Sequence, residues 1–225
     1  MYIPEHFATD RQAVDALLGN LGAADLITVT DEGMVATFLP LLYDPSAGEQ
    51  GALLGHVARN NDQWRRPAVG EALVIAHGVD GYISPSYYAS KAEHGRVVPT
   101  WNYFTAHVYG ELIVHDDVEW LSGLVRRLTE RHEAGREHPW SVDDAPAPYF
   151  AGQLRAIVGV ELTITSVEAK QKLSQNRSDL DREGVVAGLR AEPGADPAAI
   201  AAAMAAQLAE RVPDPDARRA PDVRA

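Results

Sequence analysis

Trp101, Asn102, Tyr103 and His107 stand close together in Arg96-Val-Val-Pro-Thr-Trp-Asn-Tyr-Phe-Thr-Ala-His-Val-Tyr-Gly110, a stretch that otherwise reads as a β-strand. Strand alternation puts Trp101, Tyr103, Thr105 and His107 on one face and Asn102, Phe104 and Ala106 on the other. The first face is aromatic and polar at once, as a flat conjugated ligand requires. A cross-strand aromatic ladder with a hydrogen-bonded His107 accounts for the same pattern, so the segment alone leaves both readings open.

Three further polar clusters fall at or just beyond expected strand ends. In Gly55-His-Val-Ala-Arg-Asn-Asn-Asp-Gln-Trp64 an imidazole, a guanidinium and two amides are compressed where a strand gives way to a turn. Arg59 offers a planar donor fork and the turn adds backbone amides, so an anion is well served there. The same residues also read as a polar turn with Arg59 in a surface ion pair. Tyr82-Ile-Ser-Pro-Ser-Tyr-Tyr-Ala-Ser-Lys91 supplies hydroxyls, adjacent aromatics and a cation, or is an ordinary proline-containing loop. Lys170-Gln-Lys-Leu-Ser-Gln-Asn-Arg177 is, by itself, a solvated connection.

Other chemistries lack their anchors. The absence of cysteine removes disulfides, thiolate nucleophiles, iron–sulfur clusters and Cys-based zinc sites. His132-Glu133 opens like a zinc-protease helix, but the next histidine is His138, not four residues on, and Gly135 lies between; no metal site is expected. Dinucleotide, phosphate-loop and nucleophile-elbow glycine motifs are missing. Ser84, Ser86 and Ser174 have no histidine that sequence places beside them, which makes a nucleophilic hydrolase remote. With 32 acidic against 20 basic residues, the formal net charge of −12 disfavours direct contact with nucleic acid. No run of about 18 apolar residues and no leader pattern is present, so a cytoplasmic protein with no membrane association is expected.

The elements that must position these clusters follow from periodicity. The 225 residues, 46% of them hydrophobic, suffice for a sizeable core. A capping-box pattern at Thr9 and Gln12, then Val14, Leu17, Leu18 and Leu21 at helical spacing, predicts a helix over 10–21. Leu26–Thr30, the turn Asp31-Glu-Gly33 and Met34–Tyr43 predict a hairpin. Further strands are expected at 52–58, at 72–77 with 81–84, at 100–115 and, by its period of two, at 158–167. Asp116 or Asp117 can cap a helix with Val118, Leu121, Leu124, Val125 and Leu128 on one face, closed by Gly135 and the longest in the chain. Shorter helices are expected near 149–156 and over 178–190, the latter weakened by two glycines at about 1 kcal/mol each relative to alanine. A last helix starts at Pro197 and runs through an Ala-rich stretch to Arg211. From Pro213 the tail is too polar to bury and is expected to be disordered. Several strands without long helices between them suggest an antiparallel sheet or barrel.

Taken in order, the clusters resemble the PaiB family of FMN-binding proteins, described as negative transcriptional regulators and similar in fold to the FMN-binding split barrels. The motifs that carry the resemblance are Ala36-Thr-Phe-Leu-Pro40, Gly55-His-Val-Ala-Arg59 with Trp64, Tyr82-Ile-Ser-Pro-Ser86, Val98-Pro-Thr-Trp-Asn-Tyr103 with His107 and Gly110, and Lys172-Leu-Ser-Gln-Asn-Arg177. It runs from Met1 to about Leu189. It implies an α+β, mainly β fold: an antiparallel split β-barrel with flanking helices over residues 1–191, with a C-terminal helix over 192–212 and the tail 213–225 beyond. It implies FMN as cofactor. Arg59 would anchor the phosphate, with His56, Asn60 and Lys91 as secondary contacts. Met34 to Leu39, including Ala36, Thr37 and Phe38, would offer backbone contacts to the ring edge, and Thr100, Trp101, Asn102 and Tyr103 would close over it. Split barrels of this kind dimerise with two cofactors at the shared interface, which makes Lys172, Gln175 and Asn176 candidates for a cross-subunit role. The chain departs from the family pattern at Phe38, where a histidine is common, and more mildly at Asn61-Asp62 and Tyr87-Tyr88. Phe38 leaves no imidazole for proton transfer at its place.

The resemblance implies a flavoprotein with a redox or flavin-sensing role, an FMN-dependent oxidoreductase being its enzymatic form. Two alternatives stay open. One is a transcriptional regulator acting on DNA or through a protein partner without redox turnover, although no helix-turn-helix pair stands out. The other is a haem-binding split barrel with His56 or His107 as axial ligand.

Overall fold

Asp10, and not the expected Thr9, starts the first helix. Its carboxylate accepts the Ala13 backbone N–H at 2.8 Å, and α1 spans Arg11–Gly19 with Val14, Leu17 and Leu18 buried. The hairpin follows as expected: β1 (Ala23–Thr30) and β2 (Gly33–Asp44) pair in register from Thr30↔Gly33 to Ala23↔Pro40 across a two-residue turn. Then come β3 (Ala52–Ala58), β4 (Ala72–Ile83), the short α2 (Ser90–His94), β5 (Thr100–His115), α3 (Val118–Glu133), α4 (Ala147–Leu154), β6 (Ile157–Lys172), α5 (Asp179–Ala191) and α6 (Ala195–Glu210). The computed structural model describes residues 1–210; the expected tail from Pro213 and helix end at Arg211 lie outside the described residues.

Several expectations are refined. The two segments read at 72–77 and 81–84 are one continuous strand, because Gly78 and Gly81 do not interrupt extended backbone. Among the described residues α3 and α6 are equal in length at 16 residues. Asp117, not Asp116, caps α3, accepting the Trp120 N–H at 2.8 Å. α2 was not foreseen and interrupts what read as a loop.

The strands close a barrel in the order β1-β2-β3-β6-β5-β4, so the antiparallel-barrel expectation holds. The chain divides into two compact units. The first comprises 1–4, 8–78 and 105–170, and the second comprises 5–7, 79–104 and, of the described residues, 171–210. In the first, alternating residues of the strands are sealed inside: Leu26, Leu53, Val74, Ala76, Val108, Val158 and Leu162 are all at most 2% exposed. Outside the strands, Leu124 and Leu128 of α3 cover Leu42, Ala52 and Leu54. In the second unit Ile83, Leu173, Val185, Leu189, Ile200 and Met204 form a separate core. The two glycines that weaken α5 on propensity have a packing reason there: a Cβ on Gly184 would meet the Tyr87 carbonyl oxygen at 2.2 Å, and one on Gly188 would meet the Tyr87 ring at 2.2 Å.

Candidate functional site

Of the expected site residues, six fall in the first unit and eight in the second. The first group is Ala36, Thr37, Phe38, His56, Arg59 and Asn60. β2 pairs with β1 along its whole first half, yet β3 joins its other edge only over Leu41–Asp44. Among the described residues no strand is therefore paired with the opposite edge of Met34–Leu39. Ala36 is exposed there, Thr37 is half-buried and Phe38 is 70% exposed.

Two residues outside the expected set hold this opening. Asn61 caps a 3-10 turn over 62–65: its Oδ1 accepts the Gln63 N–H and its Nδ2 donates to Thr37 Oγ1, each at 2.9 Å. Gln63 is buried inside the hairpin, where its Nε2 donates to Leu26 O (3.1 Å), Thr28 Oγ1 (3.1 Å) and Val35 O (3.4 Å). The amides at 61 and 63 were visible in sequence as polar turn residues, but no local pattern says that one of them turns inward.

Arg59 is heavily engaged. Its Nε donates to Arg155 O (2.7 Å), Nη1 to Asp116 Oδ2 (3.0 Å), and Nη2 to Asp116 Oδ1 and to Ile157 O (3.0 Å for the last). The pair holds the Asp116 carboxyl below the usual carboxylate range. The alternative reading of this cluster, a polar turn with Arg59 in a surface ion pair, is thus what the structure displays. Both partners are partly open to solvent, 33% and 52% exposed. A phosphate reaching the guanidinium would take the place of Asp116, with the bonds to the Arg155 and Ile157 carbonyls kept. Asn60 is exposed beside it.

Gly55 brings β3 close to β2: a Cβ there would meet Pro40 O at 2.9 Å and Leu41 Cδ2 at 2.8 Å. The next residue, His56, belongs to the alternate face with Ala52 and Leu54, the face that α3 covers. Its Nδ1 is buried without a hydrogen-bond partner, and burial pushes the imidazole below its ordinary value, so the neutral form is favoured. His107 is lowered in the same direction, first by burial and then by the N-terminal amine.

The second group is Lys91, Thr100, Trp101, Asn102, Tyr103, Lys172, Gln175 and Asn176. The expected alternation of β5 holds: Asn102, Ala106 and Val108 are fully buried while Trp101 is 50% exposed. Lys172 gathers the motif, donating from Nζ to Thr100 Oγ1 and to Trp101 O (2.6 Å) with the Tyr103 ring centroid 5.9 Å away. Trp101 is steadied by Asp80, whose Oδ1 accepts the indole N–H at 2.9 Å. Asn102 is bonded within the protein: its Nδ2 donates to Ser174 Oγ at 3.1 Å and its Oδ1 accepts from that hydroxyl at 3.2 Å. Ser174 carries the one left-handed non-glycine backbone among the described residues, φ +65. Gln175 spends its amide inside its own loop, accepting from Leu173 N–H (2.6 Å) and donating to Gln171 O. Asn176 is exposed, and the Lys91 Nζ donates to Ser86 Oγ at 3.1 Å.

Among the described residues none of Ser84, Ser86 and Ser174 is hydrogen-bonded to a histidine. Among the described residues no group of three or more His, Asp or Glu side chains is placed to hold a metal ion, and no helix is long and apolar enough to cross a membrane.

Residues 1–166 match the family described as "Putative FMN-binding domain". The chain is also 31% identical, over 85% of its length and 90% of the relative's, to the "Protease synthase and sporulation protein PAI 2" of Bacillus subtilis. The chain belongs to the PaiB family. Solved structures similar in fold to this family member include the FAD and heme binding protein from Mycobacterium smegmatis, at TM-score 0.52 and 21% identity, covering 82% of this chain and 80% of that one. The flavocytochrome Anf3 from Azotobacter vinelandii is similar at TM-score 0.53 and 14% identity, covering 97% and 87%. At those identities the likeness is one of fold, and it places this PaiB-family chain with the split barrels.

Proposed function

We propose that the protein binds FMN and uses it in a redox or flavin-sensing role. The observation that carries this reading is the open edge of β2 over Met34–Leu39, inside the region matched to the FMN-binding family. A strand edge without a partner presents N–H and C=O groups, which suit the hydrogen-bonding rim of a flavin ring. Arg59, at the end of β3, is the cation proposed to meet the phosphate, exchanging Asp116 for it, with Asn60 beside it; His56, on the face of β3 that α3 covers, is not assigned to the phosphate. FMN, when bound, supplies one- or two-electron transfer; the residues of this chain bind and orient it. With Phe38 on the outer side of β2, this strand holds no imidazole to carry a proton to the ring.

The second group, Lys172 with Thr100, Trp101 and Tyr103, together with Lys91, Gln175 and Asn176, is proposed to serve a site shared by two copies of the chain. Support for association comes from β2 itself, where Met34 is 74% and Phe38 70% exposed at outward positions of one strand. Apolar side chains aligned in that way favour a partner surface. The protein is further proposed to be cytoplasmic, and any regulatory role to be exercised through a protein partner, because a net charge of −12 opposes binding to DNA.

An absorption spectrum of the purified protein, with and without added FMN, tests the reading. Flavin bands that stay with the protein through gel filtration are expected. A haem Soret band, or a colourless protein that ignores FMN, would overturn it.

A further inference from the structure

Beneath α3 the first unit contains a cavity that neither the ring edge of β2 nor the Arg59 cluster uses. It has a volume of about 300 Å³ and is walled by Pro40, Val125, Leu128 and the Trp140 indole, with His56 and His132 as its imidazoles. A neighbouring cavity of about 360 Å³ shares Thr129, Glu133 and Trp140 with it. Trp140 is held in place through its backbone N–H, which Glu133 Oε2 accepts at 3.0 Å.

The lining dictates what can enter. The walls are mostly apolar and include Trp140, which favours a flat aromatic body. The nearest charges are paired: Glu133 forms an ion pair with Arg136 Nε at 3.2 Å, and Arg126 is held by both carboxylate oxygens of Asp143 at 2.8 and 2.7 Å. Burial keeps His56 neutral. An ionic ligand would therefore find no counter-charge to spare among these groups, and a neutral one is favoured. The unmet polar group is the His56 imidazole, whose Nδ1 has no partner, so turning the ring about Cβ–Cγ breaks no hydrogen bond at that atom. A hydroxyl suits either tautomer, donating to a bare ring nitrogen and accepting from a protonated one.

We propose that the cavity under α3 is a binding site for a small, neutral, planar aromatic molecule bearing a hydroxyl group, which hydrogen-bonds to His56 and stacks against Trp140. The site stands apart from the FMN reading and does not rest on it.

The test uses the purified full chain and 2-naphthol as probe, followed by titration calorimetry and by the ring ¹⁵N shifts of the histidines. One-to-one saturable binding is expected, with the His56 ring nitrogens shifting. His56→Phe keeps the volume and removes the nitrogens, and should weaken binding at least tenfold. Thr129→Trp, on the half-buried flank of α3, should fill the space and abolish it; if circular dichroism shows that variant misfolded, Val125→Phe takes its place. Saturating FMN should leave the naphthol affinity within twofold. Absence of saturable binding to the wild type would overturn the proposal, as would binding indifferent to both substitutions. One-for-one displacement by FMN would also overturn it, by giving the cavity to the cofactor. Failure of FMN to bind, with 2-naphthol bound as described, would sink the flavin reading and leave this one standing.

Discussion

The side-chain amide of Asn61 donates to the Thr37 hydroxyl at 2.9 Å, tying the turn after β3 to the stretch of β2 whose outer edge is paired with no strand among the described residues. The opening is thus a fixed feature of the fold, held from the side by a residue that also caps its own turn.

Asn61→Ala removes both of these bonds, whereas Thr37→Val removes one. At about 0.5–1.5 kcal/mol for each hydrogen bond, urea unfolding should show a loss of about 1–3 kcal/mol for the first and about half of that for the second. Equal losses would mean that the bond to Thr37 carries the whole effect.

Gln63→Ala should be more damaging. It empties a buried position and leaves Leu26 O and Thr28 Oγ1 without their donor. A loss of about 2–4 kcal/mol is expected from the cavity and the orphaned acceptors together. A variant within 0.5 kcal/mol of wild type, on the order of a neutral surface change, would refute the pinning role.

Gly55→Ala puts a Cβ against Pro40 O and Leu41 Cδ2. Because one of these is backbone, the strand itself must shift, and the cost of overpacking is about 1–3 kcal/mol. Thermal unfolding checks this, and Gly123→Ala, which meets nothing within 4 Å, is the control.

These cases mark what was legible in the sequence. Alternation disclosed β5 at its observed ends and the separation of Asn102 from the face of Trp101, though not which of the two faces turns inward; hydrophobic spacing disclosed the face of α3 that covers Leu42 and Leu54. Local pattern could not tell that Arg59 would meet Asp116, 57 positions away, or that Lys172 would reach Thr100 across 72. Such pairings depend on strand register, which no short window contains. The glycines of α5 misled for the same reason, since their value lies in the approach of Tyr87 and not in the helix itself.

Acid should weaken the fold through His56. Its imidazole is pushed down by burial, so below about pH 6.5 the unfolded chain takes up a proton there while the folded chain does not. The unfolded state then binds more protons, and stability falls as pH falls through that value, levelling off once the folded imidazole also protonates. Urea midpoints measured between pH 7.5 and 5 should decline more steeply for wild type than for His56→Phe. Parallel curves would show that His56 does not supply the difference; His107, lowered in the same direction, is the next to replace.

The central claim is that FMN binds at the open edge of β2 with its phosphate at Arg59. Titrating FMN into the protein and following the quenching of flavin fluorescence, for wild type, Arg59→Ala and Arg126→Ala, tests it most directly. Saturable binding to the wild type is expected, with a loss of over tenfold in affinity for Arg59→Ala, as for a contact to a charged phosphate, and little change for Arg126→Ala, whose guanidinium is paired with Asp143. Absence of binding to the wild type, or equal effects of the two substitutions, would contradict it.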